Sequence, residues 1–395
     1  MTSEHDRHAA RPLDGVVIAD LSRVLAGPYA TMLLADMGAE VIKVESPGGD
    51  DTRSWVPPVR PDGVSTYYSA INRNKKSVVL DFADATELAL AQALCKRADV
   101  VIENFKPGGL QRFGLDYDSV REHNDTVIYC SISGFGTAGG AALPGYDLIV
   151  QAMSGLMSLT GAADGPAFRA GISVFDVMAG LHSTIGILAA LRHRSETGLG
   201  QHIETSLMAS AMSGLVNQTS AYVTGGVTPT RMGNAHPSLF PYEPLPTADG
   251  DLIIAAGNDQ QFRKLVTELG VPELADDPRF ARNADRTDNR EELRPLLIAQ
   301  LAEAPAAAWF ERLNGVGVPN GPINTIAEGV RYAEQLGLNP VVQVGAEGTQ
   351  VPGVRNPITF SAFTPRYDIA PPDLGEHTAE VRSWLSIPSP LTNGD

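Results

Sequence analysis

The chain has 395 residues, 43% of them hydrophobic and 19% charged, enough apolar material for one large or two ordinary cores. Thirty basic against 46 acidic side chains leave a formal net charge of −16, a field that repels phosphate backbones and anionic membrane surfaces, so neither nucleic acid nor a membrane is expected as partner. Cys95 and Cys130 are the two cysteines; they exclude a disulfide framework and read as core thiols of a reducing compartment.

The N-terminal MTSEHDRHAARP is polar and lacks the apolar stretch of a secretory signal, so a cytoplasmic location is expected. Apolar runs of strand and helix length then alternate. Strands are predicted at Val16–Asp20, Glu40–Val44, Ser77–Asp81, Val100–Ile102 and Thr126–Ser131, with helices near Pro28–Met37, Thr86–Arg97 and Tyr117–His123. Such alternation implies an α/β fold built on a parallel, Rossmann-like sheet with right-handed crossovers. Ligands are expected at the carboxyl ends of those strands, where Leu25-Ala26, Asn104-Phe105-Lys106 and the loop of Gly134, Gly136, Gly139 and Gly140 fall.

Further on, Gly171–Phe175 reads as extended and Val177–Leu191 as a helix too apolar for a surface, more a buried core helix than a membrane span. A Gly-rich charged turn, RHRSETGLGQHIETS, follows it. The expected organisation is a large domain over 11–205, a linker over 206–222, a smaller α/β domain over 223–322, a linker over 323–344, and a strand-rich return to the large domain over 345–395. In the smaller domain Leu252–Ala255 is strand-like, and Asp259–Leu269, Arg290–Ala302 and Ala306–Asn314 are helical.

Asp176 stands at the mouth of the apolar helix and has two readings. It can be an N-cap that accepts hydrogen bonds from the free first-turn N–H groups. It can also be a nucleophile, kept ionised by those groups and the helix dipole. Other chemistries are poorly supported. The first strand ends in Asp20-Leu-Ser-Arg-Val-Leu-Ala-Gly27 without the G-x-G-x-x-G of a dinucleotide site. No H-E-x-x-H or paired cysteines suggest a metal, and Ser154 lacks the first glycine of a nucleophile elbow.

Several ordered motifs together carry a family signature: PLDGVVIADLSRVLAGP from Pro12, ENFKPG from Glu103, GYDL from Gly145, Asp176 before the apolar helix, and GLGQ after it. The chain resembles the family III (CaiB/BaiF-like) CoA-transferases over about residues 11–385. The resemblance implies an acyl-CoA:carboxylate CoA-transferase with Asp176 as the catalytic nucleophile, working through an aspartyl-CoA thioester and mixed anhydrides. It implies acyl-CoA and a small carboxylic acid as substrates, no tightly bound cofactor, no metal, and an interlocked homodimer.

Matched residue by residue, the resemblance places CoA contacts at Leu25, Ala26, Leu80, Asp81, Asn104, Phe105, Lys106, Arg112 and Tyr146. Asn104 would meet adenine edges, and Lys106 and Arg112 phosphates. Ser46 and Ala83 stand where the formyl-CoA branch has Arg and Lys, so Arg73, Lys75 and Lys76 are candidates to supply the missing charge. Tyr146 replaces the histidine of the racemase branch, and a phenol with a pKa near ~10 is a weak base at neutral pH. Transfer is therefore expected over an α-methylacyl-CoA racemase reaction, with a catalytically silent CoA-ester binding protein as the remaining alternative. The stretches His236–Tyr242 and Gly257–Phe262 resemble the succinyl-CoA:glutarate branch, which implies succinyl-CoA and a C4 to C6 dicarboxylate, with Arg169, His236, Asn258 and Gln260 as candidate partners of a second carboxylate.

Overall fold

The computed structural model describes residues 10–386. Contacts divide the chain into two compact units, one of residues up to 154, 170–226 and 339 onward, the other of 155–169 and 227–338.

The first unit opens with β1 (Val17–Asp20), α1 (Ala26–Asp36), β2 (Glu40–Glu45), α2 (Thr66–Ile71), β3 (Lys75–Val79), α3 (Ala85–Arg97), β4 (Val100–Glu103), α4 (Tyr117–Arg121) and β5 (Ile128–Ser133). It continues through α5 (Asp147–Met153) and, after the short α6 (Leu156–Leu159) of the second unit, α7 (Val174–Thr197), β6 (Gln201–Ser206), α8 (Leu207–Gly214) and α9 (Val216–Val223). The strands form one six-stranded sheet in the order β3-β2-β1-β4-β5-β6, parallel at every pairing. β4 is buried at all four positions, as expected of a parallel strand covered on both faces. Chain order reverses between β1 and β4, so a crevice opens beyond their carboxyl ends, the usual ligand edge of such a sheet.

One buried apolar cluster lies on the β1–β5 sheet under α3 and includes Leu94, Val101, Tyr129 and Leu80. α7 lies against α1 at Gly180, where an added Cβ would stand 2.6 Å from the Ala26 carbonyl oxygen. That close approach brings the start of α7 to the start of α1. α7 is long and apolar enough to cross a membrane. Here one face, including Phe175, Ala179, Ser183 and Ile187, is buried, while Leu181 and Ile185 are exposed.

Two expectations change here. The charged turn after α7 contains β6, an edge strand whose alternating QHIETS pattern half-faces solvent. The span 206–222, expected as a linker, is helical in α8 and α9. The strand-rich return does rejoin the first unit: β10 (Val341–Val344) and β11 (Val351–Val354) form their own antiparallel pair, and α15 (Thr378–Ser386) then sends Val381 and Leu385 into the β1–β5 core.

The second unit carries the antiparallel sheet β7 (Tyr242–Pro246), β8 (Asp251–Ala255) and β9 (Asn320–Pro322). Helices α10 (Asp259–Glu268), α11 (Asn283–Asp288), α12 (Arg290–Leu301), α13 (Ala306–Gly315) and α14 (Ile326–Gln335) complete it. Its core joins Phe262, Leu265, Leu297 and Trp309 to Leu252 and Ile254. The fully buried Arg286 donates to the Phe240 and Phe280 carbonyls and to Asp259, replacing the hydration it loses. Segment 155–169, expected inside the large domain, and α14, in a span expected as linker, both group with this unit.

Candidate active site

α7 begins at Val174, so Ser173 is its N-cap residue and Asp176 lies in the first turn. The cap itself comes from 28 residues away. Asp147, buried at the start of α5, accepts the Phe175 N–H at 2.8 Å and the Asp176 N–H at 3.3 Å through Oδ1. Gln151, one turn on, donates to the other Asp147 oxygen and to the Ile172 carbonyl, and accepts the Ala170 N–H, which fixes the approach to α7. Asp176 is thus not the helix cap, because the orphan N–H groups it would have taken are already satisfied.

That arrangement leaves the Asp176 carboxylate to the cavity and sets its acidity. Burial pushes its carboxyl up to about 7, and the negative Asp147 adds to the rise; no cation is among the causes. A carboxylate so placed is half-ionised near neutrality and more nucleophilic than an ordinary one. Tyr67 is hydrogen-bonded to Ser173 at the same helix start, and its phenol is raised by burial and further by the charge of Asp176, so it stays a proton donor.

Asp176 lines a cavity of about 430 Å³ with Ala26, Asn104, Phe105, Lys106 and Tyr146, five of the nine expected CoA contacts. Leu80, Asp81 and Arg112 line a neighbouring cavity of about 340 Å³, to which Phe105 also contributes. Leu25 is buried as the residue before α1, its carbonyl accepting the Tyr29 N–H. Asn104 also has structural work: its side chain accepts the Arg23 N–H at 2.8 Å and donates to the Arg23 carbonyl at 2.7 Å. A backbone crossing shapes the cavity wall, for a Cβ on Gly134 would stand 2.2 Å from the Gly145 Cα.

The expected substitutes for missing phosphate charge are committed elsewhere. Arg73 makes a two-pronged ion pair with buried Asp36 and donates to the Val354 carbonyl. Lys75 is fully buried, bound to Asp20, the Pro28 carbonyl and Asn72. Lys76 bridges Glu40 and Glu380. Arg169, His236, Asn258 and Gln260 all belong to the second unit, where Asn258 caps α10 through the Gln261 N–H, His236 accepts the Ser238 N–H, and Gln260 is exposed.

A buried ionic network borders the second cavity, which Lys43 and Asp50 line. Lys43 joins Asp50 at 2.8 Å and Lys75 joins Asp20 at 3.2 Å, with all four side chains fully buried. Burial pushes the Asp20 carboxyl up, but Lys75, Lys43 and the Ser22 and Thr31 hydroxyls outweigh it and hold it below the usual range. Sequence reasoning missed Asp147, Tyr67, Arg23 and this network. Asp147 left a signal as the third residue of GYDL, and Asp20 and Arg23 as members of PLDGVVIADLSRVLAGP.

The model of CoA-transferase family III matches residues 13–378. A succinate–glutarate CoA-transferase of Agrobacterium fabrum (strain C58 / ATCC 33970) is 47% identical over 382 residues, covering 95% of this chain and 96% of that protein. An acetyl-CoA:oxalate CoA-transferase of Acetobacter aceti is 39% identical over 381 residues, covering 95% of this chain and 96% of that one. The crystal structure of a CaiB/BaiF family protein from Brucella suis superposes with a TM-score of 0.85 at 45% identity, over 95% of this chain and 100% of that one.

Proposed function

The chain belongs to CoA-transferase family III and is an acyl-CoA:carboxylate CoA-transferase, and on that premise we propose that it moves CoA from succinyl-CoA to a C4 to C6 dicarboxylate through a thioester on Asp176. The observation that carries the proposal is the Asp176 carboxyl, raised to about 7 by burial and by Asp147, on the wall of the cavity that holds Ala26, Asn104, Phe105 and Lys106.

In the first step an Asp176 oxygen attacks the donor thioester carbon, the C–S bond breaks, and a mixed anhydride and CoA thiolate result. The thiolate then attacks the Asp176 carbonyl of the anhydride, forming the aspartyl-CoA thioester and releasing the donor acid as carboxylate. The acceptor carboxylate attacks that thioester and the two steps run in reverse. No net proton is consumed, which suits a site whose nucleophile and leaving groups are carboxylates and thiolate. The developing oxyanions need donors. The Phe175 and Asp176 N–H groups are held by Asp147. α1 starts at the cavity with no side-chain cap, leaving the Ala26 and Gly27 N–H groups as the donors we assign. The relative from Agrobacterium is named for succinate and glutarate, a C4 and a C5 dicarboxylate, which supports the acceptor class, whereas the one from Acetobacter is named for the shorter oxalate. A homodimer, interlocked as the family resemblance implies, is part of the proposal; the exposed Ile185, Val216, Tyr222 and Val223 supply apolar surface for it.

Incubation with succinyl-CoA, rapid quenching and digestion should add the mass of CoA to the peptide holding Asp176. Asp176→Asn should bind CoA but lose turnover by about 10³-fold or more. Normal turnover by that variant ends the covalent reading. Equal kcat/KM for glutarate and valerate ends the dicarboxylate reading, because a site that pairs a second carboxylate rejects the analogue lacking it.

A further inference from the structure

The two cavities that hold the expected CoA contacts share two residues besides their separate linings, Phe105 and Arg23. Arg23 lies in the first motif but was not among the expected CoA contacts, yet its backbone is held on both sides. Asn104 clamps its backbone on both sides, taking the N–H and serving the carbonyl. The next residue, Val24, has φ of 67°, a left-handed conformation that a β-branched residue adopts only when its surroundings enforce it. The enforcement is visible: the Val24 N–H donates to Asp50 at 3.3 Å, Asp50 is fixed by Lys43, and Lys43 also donates to the Ser22 carbonyl at 3.0 Å. Buried charge thus holds the backbone on both sides of Arg23.

The side chain itself is free to meet a ligand. It is 51% exposed, lies with its guanidinium 5.4 Å from the Phe105 ring centre, and touches a single carboxylate, the equally exposed Asp51, at a marginal 3.5 Å. The second cavity has two other cations, Arg112 and Lys43; Lys43 is buried against Asp50, and Ser46 and Ala83 add no charge, so Arg23 is the cation that also lines the first cavity. We infer that Arg23 binds the diphosphate of the CoA substrate, at the point where that ligand passes from the cavity of Arg112 to the cavity of Asp176. The inference rests on the CoA-transferase reading, since it needs a ligand long enough to occupy both cavities with a doubly anionic group between its ends. A guanidinium suits that group because its planar fork can donate two hydrogen bonds to phosphate oxygens.

The test is calorimetric binding of CoA, dephospho-CoA and pantetheine to the full-length wild type, Arg23→Gln and Asp51→Asn. Loss of a charge-assisted contact should weaken CoA and dephospho-CoA alike by about ten- to hundredfold in Arg23→Gln and leave pantetheine unchanged. Asp51→Asn should tighten CoA and dephospho-CoA, by removing the one carboxylate that competes for the guanidinium. Unchanged CoA affinity in Arg23→Gln overturns the inference; so does a loss confined to CoA, which would put Arg23 on the 3′-phosphate, and so does a loss shared by pantetheine. Failure of the wild type to bind CoA at all would instead overturn the transferase reading, so the two failures are distinguishable. Both substitutions are at exposed side chains, and matching melting curves would confirm that the clamp on the Arg23 backbone is intact.

Discussion

Two groups of carboxylates lie within the first unit and are treated in opposite ways. Asp20 and Glu45 at the ends of β1 and β2, and Asp50 in the loop after β2, are buried and each answered by cations, so that burial is outweighed and their carboxyls sit below the usual range. Asp176 instead stands near Asp147 at the start of α7, no cation among the described residues offsets its burial, and its carboxyl rises to about 7. A buried acid that holds a loop is useful when its charge never changes. A nucleophile needs an unanswered charge, because a salt bridge would lower the very basicity with which it attacks. The contrast separates scaffold from chemistry without reference to sequence similarity.

The largest test removes the answering charge from the first group. Lys75→Met keeps the volume of the side chain but leaves Asp20 with Lys43 and two hydroxyls, and should cost about 3 to 5 kcal/mol in a urea unfolding titration. A cost below 1 kcal/mol would mean that Lys75 does not support Asp20 as its 3.2 Å contact indicates.

A smaller effect is expected from Asp147→Asn. The amide oxygen can still accept the Phe175 N–H, so the helix keeps its cap, but the negative charge is gone. The rising limb of kcat/KM against pH, centred near 7 in the wild type, should move to lower pH and stop short of the usual carboxylate range, because burial is the larger cause and remains. An unmoved limb would show that the titrating group is not Asp176 or that Asp147 does not act on it.

The smallest effect sharpens the comparison through stability. The Asp176 carboxyl is raised on folding, so the folded state holds a proton that the unfolded chain releases near its ordinary 3.8. Its contribution is fully present below that value and is lost as pH rises through about 7. Asp176→Asn should therefore match the wild type near pH 4 and become more stable by about 1 kcal/mol by pH 8, a figure reduced from the full shift because the side chain is not wholly buried. Thermal melts across that range would show the gap opening. The depressed Asp20, Glu45 and Asp50 act with the opposite sign, and their stabilisation falls away as pH drops below about 4 in both proteins.

Much of the fold was legible because parallel strands write themselves as short apolar runs, and β1, β2 and β4 lie within a residue or so of their expected ends. β6 was not, since an edge strand half-open to solvent reads as polar alternation next to glycines. At the site, motif residues such as Ala26 and Phe105 lie together because they follow neighbouring strands, β1 and β4, at the same sheet edge. What escaped was non-local. Nothing in the spacing of KKSVV says that Lys75 points inward to Asp20 while Lys76 reaches Glu380. Likewise the cap on α7 joins positions 147 and 175, and the local rule that an acid near a helix start caps it gave Asp176 the wrong structural role.

The glycine crossing at the cavity wall has a consequence for redesign. Gly134 and Gly145 touch through their α-carbons, so the ten residues between them leave and re-enter the fold at one neck. Chain inserted into a loop whose ends already meet adds little closure entropy, about 0.6 kcal/mol for each doubling of length. Segment 135–144 can be lengthened or exchanged with small effect on the placement of Asp176, whereas any side chain at the neck itself would force the two strands of backbone apart. New acyl preferences are best sought by grafting within that segment and leaving both glycines in place.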